Sequence, residues 1–303
     1  MARQMAMPIP LMGDDRRGAS GQAIDVPMVP MQTRPTRTFW WDRASPAAAD
    51  LQPLRAVLFD AETALADLER DAHRVAYNAA FAAHGIDISW GSEEYGRLLR
   101  IPDGPRRIAV DLRARGFGPS SDALAAQVYP TKTAVFGECV LDGDVAPRAG
   151  LIDFVMSLFV AGIWVGMLST HQRGLVESLV RQLVGEGLVE TIVTGDDLDP
   201  LEGDVELYRL ALWELGITPE SALAVAGSDQ RYGAAIAAGL PTVVVSTGYT
   251  ASEKFTGAVA VRTGYDGPDP LLASGCQLLH RRWWIHHKRS EPLSCGAASR
   301  SPR

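Results

Sequence analysis

Apolar positions follow two rhythms along this chain. Short, unbroken runs appear first at Ala56-Val57-Leu58-Phe59-Asp60, which ends in a carboxylate, and recur at 164–169, 191–195, 222–227 and 242–246. Runs of this length with no polar alternation predict strands buried on both faces. Between them the spacing changes to i, i+1, i+4, i+5, clearest in Leu175, Val176, Leu179, Val180, Leu183 and Val184, which lays one apolar stripe along a helix. Strands alternating with helices predict an α/β fold, a doubly wound parallel sheet covered on both faces, built from residues 54–68 and 146–265. Residues 69–145 break the alternation with helical patterns alone. Val75, Ala76, Ala79 and Ala80 followed by Gly85 as a C-cap are an example, and the segment predicts an inserted helical cap subdomain.

The two ends read differently. Residues 1–53 are rich in Pro, Met, Gly and Arg and carry no sustained period, which predicts a disordered N-terminal extension with Phe39-Trp40-Trp41 as its one aromatic anchor. After Thr263 the pattern decays. Residues 266–303 form a C-terminal tail in which His280-Arg281-Arg282-Trp283-Trp284-Ile285-His286-His287-Lys288-Arg289 is basic and aromatic, and an unstructured terminus is the preferred reading.

Composition narrows the function classes. At 303 residues and 47% hydrophobic content, the chain can bury a substantial core. A net charge of −7 gives no electrostatic reason to expect nucleic acid, whose phosphates need a concentrated basic surface. Cys139, Cys276 and Cys295 lack any CxxC spacing, so neither a disulfide framework nor a thiolate metal site is expected, and a cytoplasmic setting suits them. No apolar run approaches the roughly 20 residues that span a bilayer, so no membrane partner is expected.

The residues at the strand ends carry a resemblance. Phe59-Asp60-Ala61-Glu62-Thr63-Ala64-Leu65 stands where F-D-x-D-G-T-L opens the haloacid-dehalogenase (HAD) superfamily. Glu69 to Asn78 resembles the opening of the helical cap in its CbbY-like branch of sugar-phosphate phosphatases. Glu94-Tyr95 through Arg107-Ile108 resembles the next cap segment, Pro147-Arg148-Ala149-Gly150 the return to the core, and Gly248-Tyr249-Thr250 the loop after the last core strand. The similarity spans roughly residues 54 to 265. It implies a Rossmann-like core with its site at the carboxyl ends of the strands.

Phosphoaspartyl transfer needs a carboxylate nucleophile, a second carboxyl two residues on as general acid, cations on the phosphoryl oxygens, and magnesium held by hard oxygen ligands. By the resemblance, Asp60 is the nucleophile and Glu62 the acid/base, one methylene longer than the usual aspartate, with Thr63 replacing the glycine that follows. Ser169 and Thr170, where a strand ends in hydroxyls just before a helix, are the phosphate ligands. Glu69, His73 and Arg107 are the substrate-contacting residues of the cap, with a solvated helix face as the plain alternative for each.

Two motifs depart from the pattern. In Gly195-Asp196-Asp197-Leu198-Asp199-Pro200-Leu201-Glu202-Gly203-Asp204-Val205-Glu206-Leu207-Tyr208, Glu202 takes the place of a lysine, and no Lys or Arg lies between Gly195 and Tyr208. Where the family presents an acidic pair for Mg2+ there is Ala226-Gly227-Ser228, with Gly227 at the position of the aspartate. Asp60, Glu62 and Asp229 remain as the candidate metal ligands. Two readings follow: a HAD-type protein with reduced or lost phosphatase activity that binds a phosphorylated metabolite such as a sugar phosphate, or a protein partner; or a working hydrolase with a rearranged site in which Asp229 or Asp196 helps to hold Mg2+.

Overall fold

The structure, a computed structural model, describes residues 51–101, 103–143, 145–199 and 202–290, with side chains to 287. The Phe39-Trp40-Trp41 cluster, nearly all of the expected extension over 1–53 and residues 291–303 of the tail lie outside the described residues.

Six parallel strands form one sheet: β1 (Ala56–Asp60), β2 (Trp164–Leu168), β3 (Thr191–Val193), β4 (Ala222–Ala226), β5 (Thr242–Val245) and β6 (Ala260–Arg262), in the order β3-β2-β1-β4-β5-β6. β1 pairs with β2 through Asp60 opposite Leu168, and with β4 through Phe59 opposite Val225. Residues of β1 and β4 are fully buried because helices cover both faces, which is why these strands need no polar alternation. α5 (Leu151–Val160) and α6 (Arg173–Leu183) close one face; α7 (Asp204–Glu214) and α8 (Asp229–Ala237) close the other. The strand order reverses between β1 and β4, the switch point at which sheets of this type open a crevice. Asp60 stands at the carboxyl end of β1 there, beside the end of β4.

Between β1 and α5 lie α1 (Arg74–Ala83), α2 (Ser92–Leu98), α3 (Gly104–Ala114) and α4 (Ser121–Leu141). They share their own core around Tyr77, Phe81, Trp90, Tyr95 and Ile108, distinct from the clusters on the sheet. α1 is entered through one π-helical turn, Glu69–His73, a widened geometry often found at functional sites. The far end of α4 packs on the sheet core through Phe136 and Val140.

Two elements differ from expectation. β6 has only three residues and is half exposed on the sheet edge, too short and too wet to form an apolar run. The tail is not unstructured as far as Ser290: α9 (Ala273–Ser290) packs along α5 and β4, burying Cys276 and His280, and His280 Nε2 lies 2.9 Å from the Glu220 carbonyl. Among the described residues, no helix is long and apolar enough to cross a membrane.

Candidate active site

The site is assembled from three strand ends. The β1 backbone leads Asp60 into a turn closed by Ala64 N–H to the Asp60 carbonyl at 2.9 Å, and Ala61 N–H donates to the Leu168 carbonyl at 2.8 Å, so the first loop is stitched to the end of β2. This carries Glu62 across to Ser169 and Thr170. The Glu62 Oε1 atom accepts from Ser169 Oγ at 3.0 Å, Thr170 N at 3.1 Å and Thr170 Oγ1 at 3.1 Å. Gly195, at the end of β3, permits that arrangement, because a Cβ there would stand 2.4 Å from the Thr170 carbonyl oxygen.

The cation comes from β4's side. Ser228 caps α8, accepting from Arg231 N at 3.3 Å, and the first turn of that helix sends the Arg231 side chain into the crevice. Its side chain is 7% exposed and the guanidinium faces three carboxylates: Nη2 donates to Glu62 at 3.0 Å, Nη1 lies 3.2 Å from Asp204, and Nε lies 3.6 Å from Asp60. Nη2 also donates to Thr170 Oγ1 at 3.0 Å. Burial opposes the charge on Arg231, but Glu62, Asp60 and Asp204 together hold its pKa above the ordinary value, so it stays protonated.

The two candidate catalytic carboxyls respond oppositely. Burial pushes Asp60 up to about 6, against the pull of Arg231 and with Glu62 adding repulsion. Burial also disfavours charge on Glu62, but Arg231, then His171 and the Thr170 N–H, hold its carboxyl well below the usual carboxylate range. The difference is geometric. Glu62 has the short guanidinium contact and three further donors, whereas Asp60 has the longer approach, with donation from Thr63 Oγ1 and from Glu62 N at 3.2 Å. A carboxylate held in the manner of Glu62 carries no proton at neutral pH to give a leaving group.

The cap residues meet at the junction with this site. Lys132 of α4 lies 2.7 Å from His73 Nδ1. Burial and Lys132 hold His73 neutral, so its Nδ1 accepts from the ammonium, while burial brings Lys132 itself down to about 8. His73 stacks on Phe136 at 3.9 Å, with His171 at 5.6 Å. Glu69 accepts from Tyr95 Oη. Arg107 is spent on the Leu98 and Ile101 carbonyls at 3.0 to 3.2 Å and on the hydroxyls of Tyr77 and Tyr95. His73 and Arg107 are buried, which rules out a solvated helix face for these two, and Glu69 is half-buried.

Asp60, Glu62, Ser169 and Thr170 are thus brought together, whereas the substitute metal ligands are not. Asp229 is exposed and faces Tyr232 and Glu253. Asp196 is exposed and accepts from Arg173 N at 2.8 Å at the start of α6. Glu202 does not turn its charge on the site either: it is exposed and caps a surface turn, accepting from Asp199 N at 2.8 Å. At Gly227 an added Cβ would meet Thr63 Cβ and Oγ1 at 2.6 Å and the Val245 carbonyl at 2.8 Å. The space that an aspartate side chain would need at 227 is therefore filled by Thr63, itself the replacement for a glycine.

Magnesium demands near-octahedral oxygen ligands at about 2.1 Å. No group of three or more His, Cys, Asp or Glu side chains among the described residues is arranged to hold a metal, and a protonated guanidinium already faces Asp60 and Glu62. These residues do not fit Mg2+. Arg231, Asp204, Lys132 and His171 were not singled out from sequence. Each is remote in the chain from the residues it meets, and the one available signal was a deficit: a site that loses a lysine needs its cation from somewhere else.

A parallel sheet in this order with an aspartate at the end of β1 defines the class as HAD-like. No protein-family model matches the chain. Protein CbbY of Cereibacter sphaeroides is 36% identical over 208 residues, which is 68% of this chain and 90% of that protein. The crystal structure of CbbY from Rhodobacter sphaeroides in complex with phosphate aligns with a TM-score of 0.57 and 33% identity, covering 70% of this chain and 94% of that one. A variant of the same protein in complex with xylulose-1,5-bisphosphate aligns equally well, with a TM-score of 0.57 and 33% identity over the same shares. The chain belongs to the CbbY-like phosphatases of the haloacid-dehalogenase superfamily.

Proposed function

We propose that this chain is a CbbY-like protein in which phosphatase activity is strongly reduced or lost, and that it binds a phosphorylated small molecule of the sugar-phosphate class in a regulatory role. The observation that carries this reading is Arg231, buried against Asp60, Glu62 and Asp204. The guanidinium replaces the metal's charge in part, but its attachment to Glu62 removes the general acid, a contribution of about 10²–10⁴-fold in rate. The absence of a carboxylate at Gly227 to hold a metal, and of a lysine at position 202, takes away cationic stabilisation of the phosphoryl charge, each such interaction contributing about 2.7 to 4 kcal/mol. Binding needs less than catalysis does. Hydroxyls, a backbone N–H and a fixed cation converge on one point beside Asp60, and the sugar bisphosphate held by the related CbbY supports a ligand of that chemistry.

The test is Mg2+-dependent phosphate release from a panel of sugar mono- and bisphosphates, comparing the full chain with Asp60→Asn. Equal rates at background are expected. Turnover that disappears in Asp60→Asn would establish a working hydrolase instead.

A further inference from the structure

Glu62 occupies its surroundings poorly in one specific respect. Four donors converge on its Oε1 atom: Ser169 Oγ at 3.0 Å, Thr170 N at 3.1 Å, Thr170 Oγ1 at 3.1 Å and Arg231 Nη2 at 3.0 Å. A carboxylate offers about four acceptor positions shared over two oxygens, so four donors on one oxygen exceed what it can take with good geometry. Every distance is correspondingly long; charge-assisted contacts run about 2.7–2.9 Å from nitrogen and 2.5–2.7 Å from hydroxyl. Oε2 meanwhile has His171 Nε2 at 3.8 Å, too far for a hydrogen bond, and that nitrogen is buried with no hydrogen-bond partner.

The donor set is thus larger than the anion in it. A tetrahedral oxyanion has three free oxygens to share among Ser169, Thr170, Arg231 and His171, and it would relieve both the crowding at one oxygen and the unpaired imidazole. Glu62 reaches this cradle because it is one methylene longer than an aspartate, and the Ala61 N–H bond to β2 points the loop that way.

We infer that Glu62 is a built-in competitor of an oxyanion site formed by Ser169, Thr170, Arg231 and His171, and that a phosphate group binds there by displacing the Glu62 carboxylate. The inference deepens the proposed ligand-binding role and rests on it for the ligand class. In the resting protein the tethered carboxylate fills the cradle and neutralises Arg231. Binding of a phosphoryl group releases Glu62 toward the cap, where its charge approaches Lys132 and His73. Occupancy of the site is thereby read out as a rearrangement of the first loop.

Calorimetric titration of the full chain with inorganic phosphate, in the absence of divalent metal, tests this without reference to turnover. Glu62→Ala is expected to bind phosphate on the order of tenfold or more tighter than the parent, because a like charge at contact distance is removed. Adding Ser169→Ala to that variant should weaken binding again. Glu62→Gln, which keeps the volume and removes the charge, should shift affinity the same way and serves if the alanine variant does not fold. Phosphate affinity unchanged or weaker in whichever folded Glu62 variant is measured overturns the inference. Hydrolysis by the parent protein would defeat the functional reading while leaving this equilibrium to be judged separately.

Discussion

Replacing Arg231 by methionine removes the cation on which the site's electrostatics turn while keeping an unbranched side chain of similar reach. Three carboxyls, Asp60, Glu62 and Asp204, then face a volume with no counter-charge, and Glu62 and Thr170 each lose a 3.0 Å donor. Breaking a buried pair by removal of one partner costs about 3–5 kcal/mol, because the remaining charge is stranded. For a body of this size that corresponds to a fall in Tm of roughly 6–20 °C. The sign of the pH dependence follows. With Arg231 gone the folded-state pKa values of Asp60 and Glu62 rise, the folded variant takes up protons that the parent does not, and its deficit is greatest at neutral pH and shrinks toward pH 5. Urea unfolding at pH 7 and pH 5 measures both quantities. A variant as stable as the parent at pH 7, or a deficit that grows on acidification, would refute the assignment of Arg231 as the internal cation.

Two further outcomes follow from the same geometry. Asp60→Asn should stabilise the fold at pH 7. Asp60 has a folded pKa raised from 3.8 to about 6, so the parent loses stability as pH rises through that window, on the order of 3 kcal/mol at most, and the advantage of the variant should vanish below about pH 4 in thermal melts. Gly227→Asp alone should destabilise by about 1–3 kcal/mol, since its Cβ meets Thr63 and the Val245 carbonyl, whereas Thr63→Gly with Gly227→Asp should recover most of that loss. A double-mutant cycle by chemical denaturation reads the coupling, and additive effects would remove the claim that the two positions exchanged space.

Much of the scaffold is legible in the chain because burial on two faces leaves a local trace: β1, β2, β4 and β5 are continuous apolar runs, and α6 shows its stripe. β6 leaves none, being three residues on an edge. α9 hides for another reason, since its buried positions include His280, a polar residue satisfied by a backbone carbonyl, in a stretch otherwise basic and aromatic. In the site, Asp60, Ser169 and Thr170 could be placed from motif order. The sequence presents Thr63, Glu202 and Gly227 as three separate losses. In space Thr63 and Gly227 are one exchange, Glu202 is a surface cap, and the cation has moved to Arg231. None of that is local, because a first-turn arginine on α8 looks the same in sequence whether it faces water or three carboxylates.

The most direct test of that relocated charge is a titration of the full-length protein with Mn2+, a paramagnetic stand-in for Mg2+, followed by electron paramagnetic resonance. With Arg231 in place, no stoichiometric bound signal should develop at millimolar metal. A tight, one-to-one Mn2+ site in the unaltered chain that is lost in Asp60→Asn would contradict the account.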